Sequence, residues 1–536
     1  MFTELSSSSS SSLSLSVQPV NVCVCISFRA MASDSPIGTH HTRIVLRSAI
    51  ASRLLLLTLI ILWRSIVKPY DTSASINPTC LSSSSSTSAS IVFPRIASAI
   101  EDSIVWDSVY FVRIAQCGYE YEQSYAFFPL LPLSISLVSR TVFALFIPLV
   151  GYRAVLGLSG YVISNIAFVL AALCLYRLSA IILKDREGAL RASILFCFNP
   201  ASIFYSSIYT ESLYSLLSIG GVYQLVSGAN NVGTLLLALS GAARSNGVIN
   251  AGYTCYQTMH AAYDAVFHRR SLVLTVKVLS SGALHCLCIF IPFIVFQAHG
   301  YYNICWGHDP DQISPWCKAR LPLLYNYIQR RYWGVGFLRY FQLKQLPNFL
   351  LASPILSLAL GSIIHYVKLQ PEIFLSLGFR GSNEDKNSAS MFSPMGADRR
   401  AKGSYSLKER TSTIQQEDHI LRRRKQTIKG DGHSTLPVEN DSSDSSRNLS
   451  VAVLPFILHL GFMAATAFFV MHVQIWSGGR NSFLIGQSTS LLVCCPFNGI
   501  SHKQEEMGIL DMGILCGLHP SWQFALLELL PFHLRN

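Results

Sequence analysis

Asp107 is the carboxylate of this 536-residue chain whose setting best suits proton transfer. It sits in Trp106-Asp107-Ser108-Val109-Tyr110-Phe111, within a polar and aromatic stretch (residues 91–123) that follows the first long apolar run. Arg113, Glu120 and Glu122 follow, and then Ala126-Phe127-Phe128-Pro129. A carboxylate just beyond a membrane span can act as general base toward a hydroxyl, provided the reacting groups are held in line. The plainer alternative is a solvated loop aspartate beside an interfacial tryptophan anchor.

Two further groups lie inside apolar runs, where charge is costly unless it is paired or lines a wet cavity. The first is Phe198-Asn199-Pro200-Ala201-Ser202, running on to Tyr209-Thr210-Glu211-Ser212. Asn199-Pro200 can break a helix and free backbone groups, which protein or water must then satisfy. Glu211 is thus a candidate for a supporting role or for an acceptor-hydroxyl contact, against the alternative of an interface residue. The second is Ala243-Arg244-Ser245-Asn246-Gly247. An arginine here needs an anionic partner: either a phosphate, which a guanidinium can grip at two oxygens, or Glu211 itself. A fourth stretch alternates basic and aromatic residues from Pro315 through Arg320 and Tyr325 to Arg339-Tyr340. It suits an interfacial element gripping phosphate or lipid headgroups, or simply a juxtamembrane positive cluster with an aromatic belt. Cys305 and Cys317 bracket a polar loop and are candidates for a disulfide if that loop is lumenal.

The composition sets where these groups can stand. Half of the residues are hydrophobic and only 13% are charged, about half the charged share of a soluble domain. The apolar residues fall in long runs, which points to an all-α polytopic membrane protein. The net charge of +12 does not suggest nucleic-acid binding in so apolar a chain; basic residues of membrane proteins gather in cytoplasmic loops. Candidate spans are residues 44–67, 128–151, 154–182, 189–226, 232–255, 271–297, 347–367 and 451–473, giving roughly eight to ten crossings with lumenal loops. Residues 189–226 are long enough for a broken pair, and Pro129 and Pro132 make 128–151 partly interfacial. Arg43, Arg47 and Arg53 precede the core of the first run, which places the N-terminus in the cytosol and the chain after residue 67 in the lumen.

The domain reading is a Ser-rich tail (1–43), a multi-span core (44–370), a hydrophilic insert (371–448), one more span (449–474) and an atypical tail (475–536). The most polar part of the insert, 381–448, is expected to be disordered and cytosolic, with its sequons at Asn440 and Asn448 unused. A second Ser-rich tract at 82–90 reads as a linker. There is no phosphate-cradling loop, no HExxH, no dinucleotide fingerprint and no Cys/His metal-ligand spacing.

Taken together, these residues resemble the GPI mannosyltransferase 2 family. The stretches that carry the resemblance include Trp106 to Phe111, Cys117 to Glu122, Ala126 to Pro132, Phe198 to Ser202, Tyr209 to Ser212, Arg244 to Gly247, Pro315 to Cys317 and Phe337 to Tyr340, all in family order. The resemblance implies a GT-C type glycosyltransferase of the endoplasmic reticulum membrane with a lumenal active site. It implies dolichol-phosphate-mannose as donor, a GPI precursor glycolipid as acceptor, an α-1,6 linkage made with inversion, no cofactor and a possible accessory membrane subunit. Asp107 matches the family's acidic residue after the first span and is the expected base. Trp106, Glu211, Arg244, Asn246, Arg320 and Arg339 are the expected substrate-binding residues. After Gln474 the family's closing Arg-Phe-Leu and Pro-Pro-Leu-Tyr-Trp pattern is missing, and residues 475–536 read like a splice variant or frame departure.

Overall fold

The computed structural model describes residues 36–66, 91–199, 201–307, 314–380 and 451–471. Among them there are helices and connecting turns and no strand. The Ser-rich tail, the tract 82–90, the insert from residue 381 with its sequons, and the tail 475–536 lie outside the described residues.

Among the described residues five helices are long and apolar enough to cross a membrane: Gly38–Trp63 within α1 (Pro36–Ile66), α6 (Tyr152–Leu183), α12 (Leu272–Cys305), Leu343–Leu369 containing α14 (Leu346–Leu369), and Val451–Phe469 containing α16 (Leu454–Phe469). A sixth forms if α4 (Leu130–Arg140) and the segment Ala144–Val150, which ends in α5 (Ile147–Val150), count as one span bent by 66°. The expected eight to ten crossings treat 189–226 and 232–255 as further spans, and in the structure neither range is one unbroken helix. They divide into α7 (Arg186–Cys197), α8 (Ser202–Ser206), α9 (Glu211–Val226), α10 (Asn230–Ala243) and α11 (Ala251–Tyr263). The longest of these, α9, has 16 residues and reaches only about 24 Å, short of a roughly 30 Å hydrocarbon core. The shorter helices are instead packed among the long ones: α6 lies on α9, α9 on α10, and α10 on α12.

Small residues permit that packing. A Cβ at Gly221 of α9 would strike Leu237 of α10, and one at Gly233 of α10 would strike Leu225 of α9. Close backbone approach through small residues is how helices associate where solvent exclusion cannot drive them together.

The break between α7 and α8 needs a device to satisfy its freed carbonyls, and Arg53 of α1 supplies it. Its Nη1 donates to Ser202 O (3.1 Å) and Ser206 Oγ (2.9 Å), and its Nη2 to Cys197 O (3.3 Å) and Ser202 Oγ (3.0 Å). The guanidinium also lies 3.7 Å from the ring centre of Phe168. Arg53 is therefore not a solvated flanking charge, as its place before the apolar core suggests; hydrogen bonds to a broken helix hold it in the bundle. Arg53→Leu should lower the melting temperature in detergent, since each orphaned buried group costs roughly 1–3 kcal/mol, with Arg53→Lys recovering part of the loss. An unchanged melt for Arg53→Leu would remove this role.

Between α1 and α6 the chain forms α2 (Pro94–Glu101) and α3 (Asp107–Cys117), then a 3-10 turn at Glu122–Ala126, none of them long enough to span. After α12 comes α13 (Leu324–Tyr332), an amphipathic helix whose Leu324 and Ile328 are fully buried against Tyr125, Phe128 and Phe296. Residues 371–380, placed by sequence with the hydrophilic insert, form α15 (Pro371–Leu375) and a turn, where Leu377 O bonds to His260 Nε2 at 3.0 Å and Phe379 stacks on the His260 ring.

Candidate active site

Several helix ends meet at one open cleft. Asp107 is the first residue of α3, Glu211 the first of α9, and Arg244 the residue that ends α10. Two carboxylates at helix N-termini and a guanidinium at a helix C-terminus each complement the local helix dipole. Trp106, just before Asp107, holds φ +55°, a conformation that bulky residues rarely adopt. Ser108 Oγ donates to Ile208 O at 3.3 Å, tying α3 to the chain that leads into Glu211.

Arg244 Nη1 lies 2.6 Å from Glu211 Oε1, with Glu211 almost wholly buried and Arg244 nearly so. The two partners left open by sequence for this arginine are thus narrowed: in the folded chain Glu211 holds it. The turn that follows explains the glycine of Arg244-Ser245-Asn246-Gly247. A Cβ at Gly247 would fall on the backbone of Ser240 and Gly241, so only glycine lets the 3-10 turn Ser245–Asn250 fold back on α10.

The remaining lining includes the aromatic residues Phe111, Phe127, Phe128 and Tyr209 and the polar residues Ser245, Asn246, Tyr325 and Gln329. Ser245 Oγ donates to Tyr325 Oη at 2.7 Å, which fixes α13 against the Arg244 turn. Burial and the neighbouring Asp107 carboxylate together hold the Tyr110 phenol above its usual pKa.

Of the residues expected from sequence, the cleft brings together Asp107, Glu211, Arg244 and Asn246. Trp106 is 39% exposed and outside the lining. Arg320 and Arg339 are exposed and outside it as well. Cys305 and Cys317 form the expected disulfide, with Cα atoms 5.7 Å apart, pinning the end of α12 to the turn Pro315–Lys318 that precedes α13. Cys117, at the end of α3, is disulfide-bonded too. Sequence reasoning assigned no role to Gln329, Thr210 or Met471, all of which line the cleft. For Gln329 a signal existed, since it lies four residues after Tyr325 on one face of α13; Met471 carried none.

A helical membrane protein with a carboxylate, a paired guanidinium and amides around a cleft at its helix ends belongs to the class of membrane-embedded group-transfer enzymes. Residues 42–484 match the family described as Mannosyltransferase (PIG-V). The GPI alpha-1,6-mannosyltransferase 2 of Cricetulus griseus is 32% identical over 64% of this chain and 72% of its own length. The protein of the same name from Homo sapiens is 31% identical over the same shares. The GPI mannosyltransferase 2 of Yarrowia lipolytica is 30% identical over 53% of this chain and 72% of its own. No solved structure matches the chain significantly. The chain belongs to the mannosyltransferase (PIG-V) family and is a glycosyltransferase with a helical, GT-C-like membrane fold.

Proposed function

We propose that this chain adds the second mannose, in α-1,6 linkage, to a GPI precursor in the endoplasmic reticulum, with dolichol-phosphate-mannose as donor. The observation that carries the reading is the meeting of Asp107 and Arg244 in one cleft of a chain that belongs to this family. Asp107 takes the proton of the acceptor's C6 hydroxyl as its oxygen bonds to C1 of the donor mannose. The C1–O bond to the lipid phosphate breaks on the opposite face, so a β-linked donor yields an α-glycoside without a covalent enzyme intermediate. Arg244, held by Glu211, faces the negative charge that develops on the departing phosphate. Glu211 orients the guanidinium, and Asn246 presents an amide beside it.

The cleft belongs on the lumenal side in this reading. Arg43 and Arg47 stand at the far end of α1, where His41 lies 3.3 Å from Glu187 at the start of α7, and Arg269 and Arg270 precede α12. The stretch from Lys318 to Lys344 is also basic but lies toward the cleft, so charge alone does not orient the chain. The disulfide between Cys305 and Cys317 and the bonded Cys117 favour an oxidising compartment for this face. An accessory membrane subunit belongs to the same reading and rests on the family resemblance alone.

The test is expression in cells that lack the second GPI mannosyltransferase, scored by a GPI-anchored protein at the cell surface. Restoration is expected, together with loss of the mono-mannosylated precursor. A membrane-inserted protein that leaves that precursor unchanged would remove the reading.

A further inference from the structure

The turn Val335–Arg339 stands outside the cleft lining but is tied to its rim on two sides. Val335 N donates to Gln329 O at 3.0 Å, and Gln329 lines the cleft. Gly336 N donates to Val470 O at 3.2 Å and Leu338 N to Phe469 O at 2.7 Å, just before the cleft-lining Met471. Phe337 also stacks on the Phe469 ring. Leu338 holds φ +54°, a left-handed conformation that a bulky residue keeps only where its surroundings enforce it. Arg339 follows, and its side chain is exposed. Its stem folds over Gly336, where a Cβ would meet Arg339 Cδ at 2.8 Å.

The spans on either side set the depth of this turn. Val451–Phe469 ends at Phe469, to which the turn is bonded, and Leu343–Leu369 begins just beyond Arg339. The turn therefore stands where hydrocarbon gives way to headgroups. Phe337 and Leu343 are 70% and 92% exposed beside it, apolar groups suited to the acyl boundary. The surrounding charge has one sign. Lys318, Arg320, Arg330, Arg331, Arg339 and Lys344 fall in a stretch with no Asp or Glu between residues 314 and 371. Among the described residues no carboxylate pairs with Arg339. An exposed guanidinium without an acidic partner at headgroup depth fits a lipid phosphate, whose oxygens it can grip two at a time.

We infer that Arg339 binds the phosphodiester of the inositol phospholipid acceptor, holding it at the cleft rim while the acceptor's sugars reach inward to Asp107. The inference rests on the mannose-transfer reading above. In that reading the donor's phosphate is the leaving group and belongs inside the cleft beside Arg244. The acceptor's phosphate joins its glycan to its lipid, so it stays at headgroup level, several rings from the reacting hydroxyl. A site outside the cleft lining and at the membrane boundary matches the second phosphate and not the first.

The experiment uses the full-length protein in microsomes of the deficient cells, with two synthetic acceptors. Both end in one mannose. In one the inositol is joined to the lipid through a phosphodiester, in the other through a neutral ether. Wild type is expected to favour the phosphodiester acceptor in kcat/KM by roughly tenfold, the scale of one charge-assisted hydrogen bond. Arg339→Gln should remove most of that preference by raising KM for the phosphodiester acceptor, with kcat and the donor KM unchanged. Arg339→Lys should recover part of it, since lysine keeps the charge without the fork. If Arg339→Gln does not accumulate, Arg339→Lys carries the comparison. An equal loss for both acceptors would overturn the inference, because the turn would then only seat the protein in the membrane. A rise in donor KM would overturn it too, by placing the arginine on the donor phosphate. So would a wild type that treats the two acceptors alike, or an unchanged preference in the variants. A wild-type protein that transfers no mannose to either acceptor would overturn the mannose-transfer reading itself, so the two failures are distinguishable.

Discussion

Asp107→Asn should reduce mannose transfer on the order of 10²–10⁴-fold, the usual contribution of a general base, while the protein reaches the membrane in normal amount. The substitution keeps the size of the side chain and its place at the start of α3. What it removes is the negative charge and with it the ability to accept a proton. The amide still favours the helix start as a polar group, so folding should survive; the charge–dipole stabilisation it gives up is about 0.3–1 kcal/mol. The measurement is paired: transfer in microsomes with both substrates saturating, and membrane abundance by immunoblot. Because the base acts in the chemical step, kcat should fall with little change in either KM. Transfer within a few-fold of wild type by this variant would rule out Asp107 as the base, and the carboxylate would then revert to a role at the helix terminus.

The second large effect concerns the Glu211–Arg244 pair. The two groups lie 2.6 Å apart and are almost fully buried. Removing either partner strands a charge in the bundle, a loss of about 3–5 kcal/mol in comparable buried pairs. Glu211→Leu and Arg244→Met alone should each lower the melting temperature in detergent and the steady-state level in cells. The double variant should regain much of both, since a buried ion pair can often be exchanged for apolar packing at little cost. It should not regain transfer, because the guanidinium proposed above to face the departing phosphate is gone. Arg244→Lys sharpens the point: lysine keeps the charge but lacks the planar two-pronged contact, so stability should hold better than donor use. A double variant with full transfer would show that Arg244 serves the fold alone. Damage in the double equal to the sum of the two singles would show that the two positions are not energetically coupled.

Some of this was legible in the residues before any fold was known. The long apolar runs could only be helices in lipid, because a backbone in hydrocarbon must satisfy its own hydrogen bonds. Asp107, Glu211, Arg244 and Asn246 stood out because polar groups beside or inside apolar runs demand a reason, and all four line the cleft. The bond between Cys305 and Cys317 was readable from two cysteines closing a short polar loop. Local spacing also marked the break at Asn199-Pro200, since proline cannot continue the helical ladder.

Other features depended on which helices touch. Arg53 reads as a flanking charge along the chain, yet it bonds Ser202 from 149 positions away, and only the packing of α1 on α8 shows that it caps a break. Residues 189–255 divide between Cys197 and Ser202 and again at Arg244, and the pieces are supported by neighbours rather than by their own length. Arg320 and Arg339 have the side chains of a phosphate site but are exposed and do not line the cleft. Gln329 and Met471 line it from segments more than two hundred residues beyond Asp107. A residue's type states what it can bond to, and the run it sits in states whether it needs a partner. Which partner it finds is set by contacts between helices far apart in the chain, and those are fixed only when side chains of matching size and small residues such as Gly221 and Gly233 let particular helices come close.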